Sequence, residues 1–203
     1  RLDELRGGGA PALTDMPQER TRRCLRLVEL LLQEPLLKLG GIELERIEEG
    51  ILVPAVTSAD TAELRALALR GLSLHCHASV EAARKFWPMF LHAMEHDQPP
   101  VQLASLRAVL DLLHLHGPAS LLPAAAEPPA PGAAGPSSAA APAAPHEDGH
   151  AAEVAKLLLP LLEREAVSSP LRSAAAVGLA KLLHSRRLAS SSLLARLLLV
   201  YFQ

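Results

Sequence analysis

The chain has 203 residues, of which 49% are hydrophobic but only 2% aromatic, and its formal net charge is −2. Its apolar residues are mostly leucine, alanine and valine, which pack helices against helices. A chain this close to neutral does not bind nucleic acid over its whole surface, so any DNA contact has to be a local basic patch. The longest uninterrupted apolar run, residues 197–202, is too short to cross a bilayer, so no membrane partner is predicted.

The composition along the chain predicts four segments. They are a flexible N-terminal end at residues 1–14, helical repeats at 15–116, a disordered Ala/Pro-rich linker at 117–147 and further helical repeats at 148–203. Between residues 123 and 145 the linker holds seven prolines and eleven alanines, with few large apolar groups to bury. Because the chain begins without methionine and ends within an apolar pattern, we expect a piece of a longer protein whose repeats continue.

Capping residues and prolines predict where the helices begin and end. Asp15 is expected to cap the first helix, and a second helix is expected to follow the glycines at 40 and 41 and to run to about Val56. The remaining helices are predicted from Glu63 to Cys76, Ser79 to His96, Pro99 to His116, Glu153 to Glu165 and Pro170 to His184, with one more after Ser190. The helices therefore come in pairs.

The second helix of each pair repeats a pattern of small and apolar residues. Positions 0, 4, 7 and 8 of this pattern are Leu64, Ala68, Gly71 and Leu72; then Val101, Ser105, Ala108 and Val109; then Leu171, Ala175, Gly178 and Leu179. The units are 37 residues apart and then 70, or 47 without the 23 residues of the Pro/Ala stretch, close to the ~40–47 of HEAT and armadillo repeats. These positions share one helical face, and small residues there allow close helix packing. Prolines at 54, 88 and 160 occupy similar places in the first helices. The pattern predicts an all-α, HEAT/armadillo-like α-solenoid of stacked antiparallel helix pairs.

No catalytic, cofactor-binding or metal site is predicted. The best metal candidate among nine histidines is His92 with His96, one helical turn apart, but the zinc-binding H-E-x-x-H motif is absent. Cys24 and Cys76 have neither a metal nor a redox spacing, which fits a reducing intracellular compartment. Since the sequence also lacks a phosphate-binding loop and a nucleophile elbow, we expect no enzyme and no small-molecule substrate.

Basic and aromatic side chains are the candidates for partner contacts. The basic residues predicted to face DNA or a partner are Arg22, Arg23, Arg26, Arg84, Lys85, Lys181, Arg186 and Arg187. For each group the alternative is an ordinary solvated helix face or helix C-terminus. Trp87, with Phe86 and Phe90, is a possible partner anchor, and the alternative is that these rings belong to the repeat core. Without a recognition-helix motif, DNA binding is expected to be sequence-independent and salt-sensitive.

Three segments of the chain resemble the G subunit of the condensin complex. They are residues 51–56 (ILVPAV) with the helix that follows, residues 101–113 (VQLASLRAVLDLL) and residues 171–183 (LRSAAAVGLAKLL), the last being the closest match. The resemblance covers residues 20–203 apart from the Pro/Ala stretch, which looks like an insertion.

The resemblance implies a non-catalytic scaffold subunit of a nuclear, chromosome-compacting machine, with a cytoplasmic pool possible. The implied partners are a kleisin subunit, the SMC ATPases reached through it, and duplex DNA bound without sequence specificity. Another HEAT or armadillo adaptor, of the nuclear-transport or phosphatase type, is the alternative that shares this fold.

Overall fold

The computed structural model describes residues 17–34, 40–122, 149–164 and 167–202, which form helices and no strand. The helices are α1 Gln18–Gln33, α2 Gly41–Ile47, a π-helical turn Glu48–Leu52, α3 Val53–Ser58, α4 Ala62–His77, α5 Val80–His96, α6 Pro99–His116, α7 Pro118–Leu121, α8 Gly149–Glu163, α9 Ser169–His184 and α10 Ser191–Tyr201. They divide into two compact units, unit 1 within Arg1–Val109 and unit 2 within Leu110–Gln203. None of the helices in these described ranges has the length and apolar character of a membrane span.

Within each unit, helices pack against other helices that lie near them in the sequence. In unit 1, α1 and α3 pack against α4, and α4 packs against α5. In unit 2, α8 packs against α9, and α10 contacts both of them. The predicted all-α fold of stacked helix pairs is confirmed.

Short polar side chains begin several helices, as predicted. Ser79 accepts a hydrogen bond from the backbone N–H of Ala82 at 3.3 Å, and Ser190 accepts one from Leu193 at 3.2 Å. Each serine satisfies a donor that has no partner inside the helix. The first helix begins at Gln18, after Pro17, and the expected cap Asp15 lies outside the described residues.

Prolines lie inside the first helix of each pair, and one of them coincides with a change of helical register. The π-helical turn Glu48–Leu52 directly precedes α3, whose first turn contains Pro54. A proline cannot donate to the carbonyl one turn earlier, and its ring clashes with that carbonyl in an ideal α-helix. The wider π turn accommodates the ring and continues the helix. Pro88 and Pro160 lie inside α5 and α8.

The predicted repeat seam is confirmed position by position. All twelve residues at positions 0, 4, 7 and 8 of α4, α6 and α9 are buried. Both glycines of the seam lie close to a leucine of a neighbouring helix. A Cβ at Gly71 would lie 2.7 Å from the Cδ2 of Leu52, and a Cβ at Gly178 would overlap both methyl groups of Leu110. The glycines therefore allow a helix approach that larger residues would prevent.

Two boundaries differ from the sequence prediction. Gly117, with φ +82°, ends α6 as expected, but α7 forms at Pro118–Leu121, within the first residues of the predicted linker, and Leu121 is buried. Helix α8 begins at Gly149, one turn before the predicted Glu153, because its buried stripe extends back to Ala151. The segments predicted to be flexible at 1–14 and disordered at 123–147 lie outside the described residues.

Candidate nucleic-acid interface

Three of the eight predicted basic residues are engaged by carboxylates within unit 1. Arg22 pairs with Glu63 at 3.1 Å, and Arg23 pairs with Glu19, one turn away on α1, at 2.9 Å. Lys85 pairs with Glu48. These pairs reduce the positive charge that the three side chains present to a polyanion.

The Glu48 carboxylate is buried and has two partners. Nε2 of His75 is 2.9 Å from one carboxylate oxygen of Glu48, and Lys85 binds the other oxygen. The hydrogen bond to Glu48 is the main cause that raises the pKa of Lys85. A buried carboxylate is costly without partners, so the role of Lys85 here is to stabilise the fold. The sequence did not predict this arrangement because the three residues come from three different helices.

Trp87 lies in the core of unit 1. Its side chain is only 7% exposed, and Phe86 and Phe90 on the same helix are also buried. The ring therefore has little surface left for a partner, which corresponds to the alternative interpretation of this aromatic group as repeat core. The neighbouring Arg84 is exposed on α5.

The last three predicted basic residues, Lys181, Arg186 and Arg187, lie together in unit 2 and are called here the unit 2 basic cluster. Lys181 is in the last turn of α9, and the two arginines follow the end of that helix. All three are exposed, and within the described part of the chain none of them forms an ion pair. The cluster therefore keeps its positive charge.

The unit 2 basic cluster borders the end of α6. Arg187 Nη2 donates to the carbonyl oxygen of Leu115 at 3.3 Å. The hydroxyl of Ser185 lies 3.3 Å from Nδ1 of His114. Two helix C-termini thus meet beside the cluster, and cations near helix C-termini are favoured by the helix dipole. The sequence did not predict this meeting of α6 with α9, although their shared repeat register is a signal that could have indicated it.

Arg186 has a backbone conformation that glycine normally provides. Its φ is +57°, and the N–H groups of Arg186 and Arg187 donate to the carbonyls of Leu183 and Leu182 at 3.1 and 3.0 Å. Many helices end in this pair of hydrogen bonds. Glycine usually occupies the left-handed position, because a residue with a Cβ is strained there. An arginine at this position makes the fold less stable than glycine would. Arg186 is therefore a candidate for a functional role.

Neither thiol of the chain is suited to chemistry. Burial, and to a lesser extent the charge of Glu48, raises the pKa of Cys76 to about 12. Burial also raises the pKa of Cys24. Both groups are therefore protonated at neutral pH, and the thiolate is the reactive form. Among the residues that the structure describes, no three histidine, cysteine or carboxylate side chains are grouped as metal ligands would be.

The stacked helix pairs place this chain in the class of helical-repeat proteins. A search among solved structures finds similarity to the crystal structure of the S. pombe condensin Cnd3-Cnd2 subcomplex, with a TM-score of 0.62 and 23% sequence identity. The match covers 90% of this chain but 21% of the other, so the chain spans about a fifth of the length of that condensin chain. No curated protein sequence matches the chain significantly.

The sequence profile of the Cnd3 family, described as nuclear condensing complex subunits, C-terminal domain, matches residues 23–203. The chain belongs to this family, which confirms the resemblance to the condensin G subunit seen in the sequence.

Proposed function

We propose that this chain is part of a non-catalytic HEAT-repeat scaffold subunit of condensin, which binds the kleisin subunit and contributes to DNA binding in mitotic chromosome condensation. The family match over residues 23–203 carries this proposal. The match also favours condensin over a transport or phosphatase adaptor, which would share the fold. The expected location is the nucleus and the chromosomes, and a cytoplasmic pool is also possible.

The kleisin is the protein partner that we propose, and through it the SMC ATPases. The solved condensin structure that resembles this chain is a complex of Cnd3 with a second subunit, Cnd2, and we assign the corresponding role to the kleisin here. A stack of helix pairs suits such a role, because its seam supplies the core while its outer surface stays free for a bound chain.

The unit 2 basic cluster is the part of this chain that we propose to contact DNA. Lys181, Arg186 and Arg187 are exposed and without carboxylate partners among the described residues, whereas Arg22, Arg23 and Lys85 have such partners. Phosphate contacts of this kind carry no base specificity and release counterions on binding. We therefore expect affinity for duplex DNA that falls steeply with salt and changes little with sequence.

The test compares two sets of neutralised cations in the full-length protein bound to its kleisin. One variant replaces Lys181, Arg186 and Arg187 with glutamine. The matched control neutralises Arg22, Lys156 and Arg196, which are also exposed but are paired with Glu63, Glu153 and Glu163. Each phosphate contact contributes roughly 0.9 to the magnitude of the slope of log K against log salt. In the first variant, which loses three contacts, this slope should therefore be shallower by about 3.

The control variant is expected to keep the slope of the unchanged protein. Equal slopes for both variants would contradict the assignment of the unit 2 basic cluster. Failure of the unchanged protein to retain kleisin would contradict the proposed scaffold role itself.

A further inference from the structure

Helix α1 has two different apolar faces. One face, with the buried residues Leu25 and Val28, packs against α4. The other face carries Leu27, Leu30 and Leu31, which are 62%, 62% and 41% exposed and are called here the α1 leucine stripe. Residues three and four apart are neighbours on a helix, so the three side chains form one continuous patch. The core of unit 1 does not use this patch.

Positive charge borders the α1 leucine stripe on its N-terminal side. Arg23 lies one turn before Leu27, Arg26 lies one turn before Leu30, and Arg20 precedes both arginines. Arg20 and Arg26 form no ion pair with any described residue, and Arg23 pairs only with the exposed Glu19 of the same helix. Arg20 also sits in the first turn of α1, where the positive end of the helix dipole disfavours a cation. Stability of α1 therefore does not account for Arg20.

The combination of an apolar patch with an adjoining basic edge indicates what kind of surface would cover it. Exposed leucines on neighbouring turns are the usual anchors for an amphipathic partner helix, and the charges beside them select its sign. A nucleic acid would satisfy the arginines but would leave the leucines in water. A neutral apolar segment would cover the leucines but would ignore the arginines. An acidic amphipathic segment satisfies both features.

We propose that the α1 leucine stripe, with Arg20, Arg23 and Arg26, docks an acidic amphipathic segment of the kleisin. This assignment rests on the proposed function and names one surface for it. Apolar side chains of the segment cover Leu27, Leu30 and Leu31, while its carboxylates lie against the arginines at the N-terminal half of α1. The segment packs on the face of α1 opposite α4, so the fold of unit 1 stays unchanged.

The test measures kleisin affinity of the full-length protein at low and high salt. A first variant carries L27E and L30E, a second carries R20E and R26E, and the matched control carries V177E, which changes another exposed aliphatic side chain on α9. We expect the leucine variant to weaken binding at least tenfold at both salt concentrations. The arginine variant should weaken binding mainly at low salt, since screening removes the contribution of exposed charges. The control should stay within twofold of the unchanged protein.

Different outcomes would overturn this assignment and the proposed function. Absence of kleisin binding by the unchanged protein overturns the proposed function and this assignment together. Binding that stays within twofold in both α1 variants overturns the assignment alone. A photo-crosslinking residue placed at Leu31 gives a second readout that does not depend on the charge-changing variants. Crosslinks to an acidic kleisin segment support the proposal, whereas crosslinks confined to the same polypeptide, or to DNA, overturn it.

Discussion

Replacing Gly178 with leucine should destabilise unit 2 by overpacking the seam. A Cβ at this position would lie 2.8 Å from Cγ of Leu110 and would overlap both of its methyl groups. Because three atoms of one buried side chain must shift, we place the steric cost at the upper end of the overpacking range, about 3 kcal/mol. The better helix propensity of leucine returns about 1 kcal/mol. The expected net loss is about 2 kcal/mol.

Two other glycines provide graded controls for this change. At Gly71 a Cβ would meet only the flexible end of Leu52, at 2.7 Å, and at Gly41 it would meet nothing within 4 Å. The alanine variants should therefore rank, from most to least destabilised, as G178A, G71A and G41A, with G41A expected to gain stability.

The assay is urea unfolding followed by circular dichroism, read as the midpoint of each transition because the two units need not unfold together. With a slope of about 1 kcal/mol/M for a small unit, the G178L midpoint should fall by roughly 2 M. An unchanged midpoint, or equal effects at Gly178 and Gly41, would refute the packing register.

Three further results are expected. Arg186→Gly should stabilise unit 2 by about 1 kcal/mol in urea unfolding, because glycine accepts the positive φ, and should weaken DNA binding; a loss of stability would contradict the strain argument. The hydrogen bond from Arg65 is the main cause that lowers the pKa of Asp97 below 3.8. The destabilisation by Arg65→Met should therefore be largest above about pH 5 and should shrink as the pH falls below 3.8, where Asp97 becomes protonated. A pH-independent difference in urea midpoint would refute that coupling. With a pKa of about 12, Cys76 should react with a thiol reagent at pH 8 far more slowly than Cys24 and only after unfolding; rapid labelling of both in native protein would show that Cys76 is accessible.

Much of the fold could be predicted because helix pairs leave a strong local pattern. The seam around Gly71 and Gly178 follows from residues at helical spacing, and the caps at Ser79 and Ser190 follow from side chains that satisfy backbone donors. The start of α8 was missed because alanine is ambiguous as a core residue until its neighbours are known.

The candidate surfaces were less predictable because charge pairing depends on tertiary contacts. Lys85 and Arg186 look equally basic in the sequence. Lys85 nevertheless binds a buried carboxylate from another helix, whereas Arg186 forms no ion pair with any described residue. The exposed leucines of α1 likewise cannot be told from its buried leucines in the sequence alone. A helix with two apolar faces can be distinguished from an ordinary amphipathic helix only when its packing partner is known.

Co-purification shows whether this chain is part of a condensin scaffold that holds a kleisin. The full-length protein is expressed with its kleisin, captured through a tag on one subunit and passed over a sizing column in high salt. We predict a single peak that contains both proteins at equal stoichiometry. Separate elution of the two proteins would contradict the account, as would capture of a small GTPase or a transport cargo in place of kleisin.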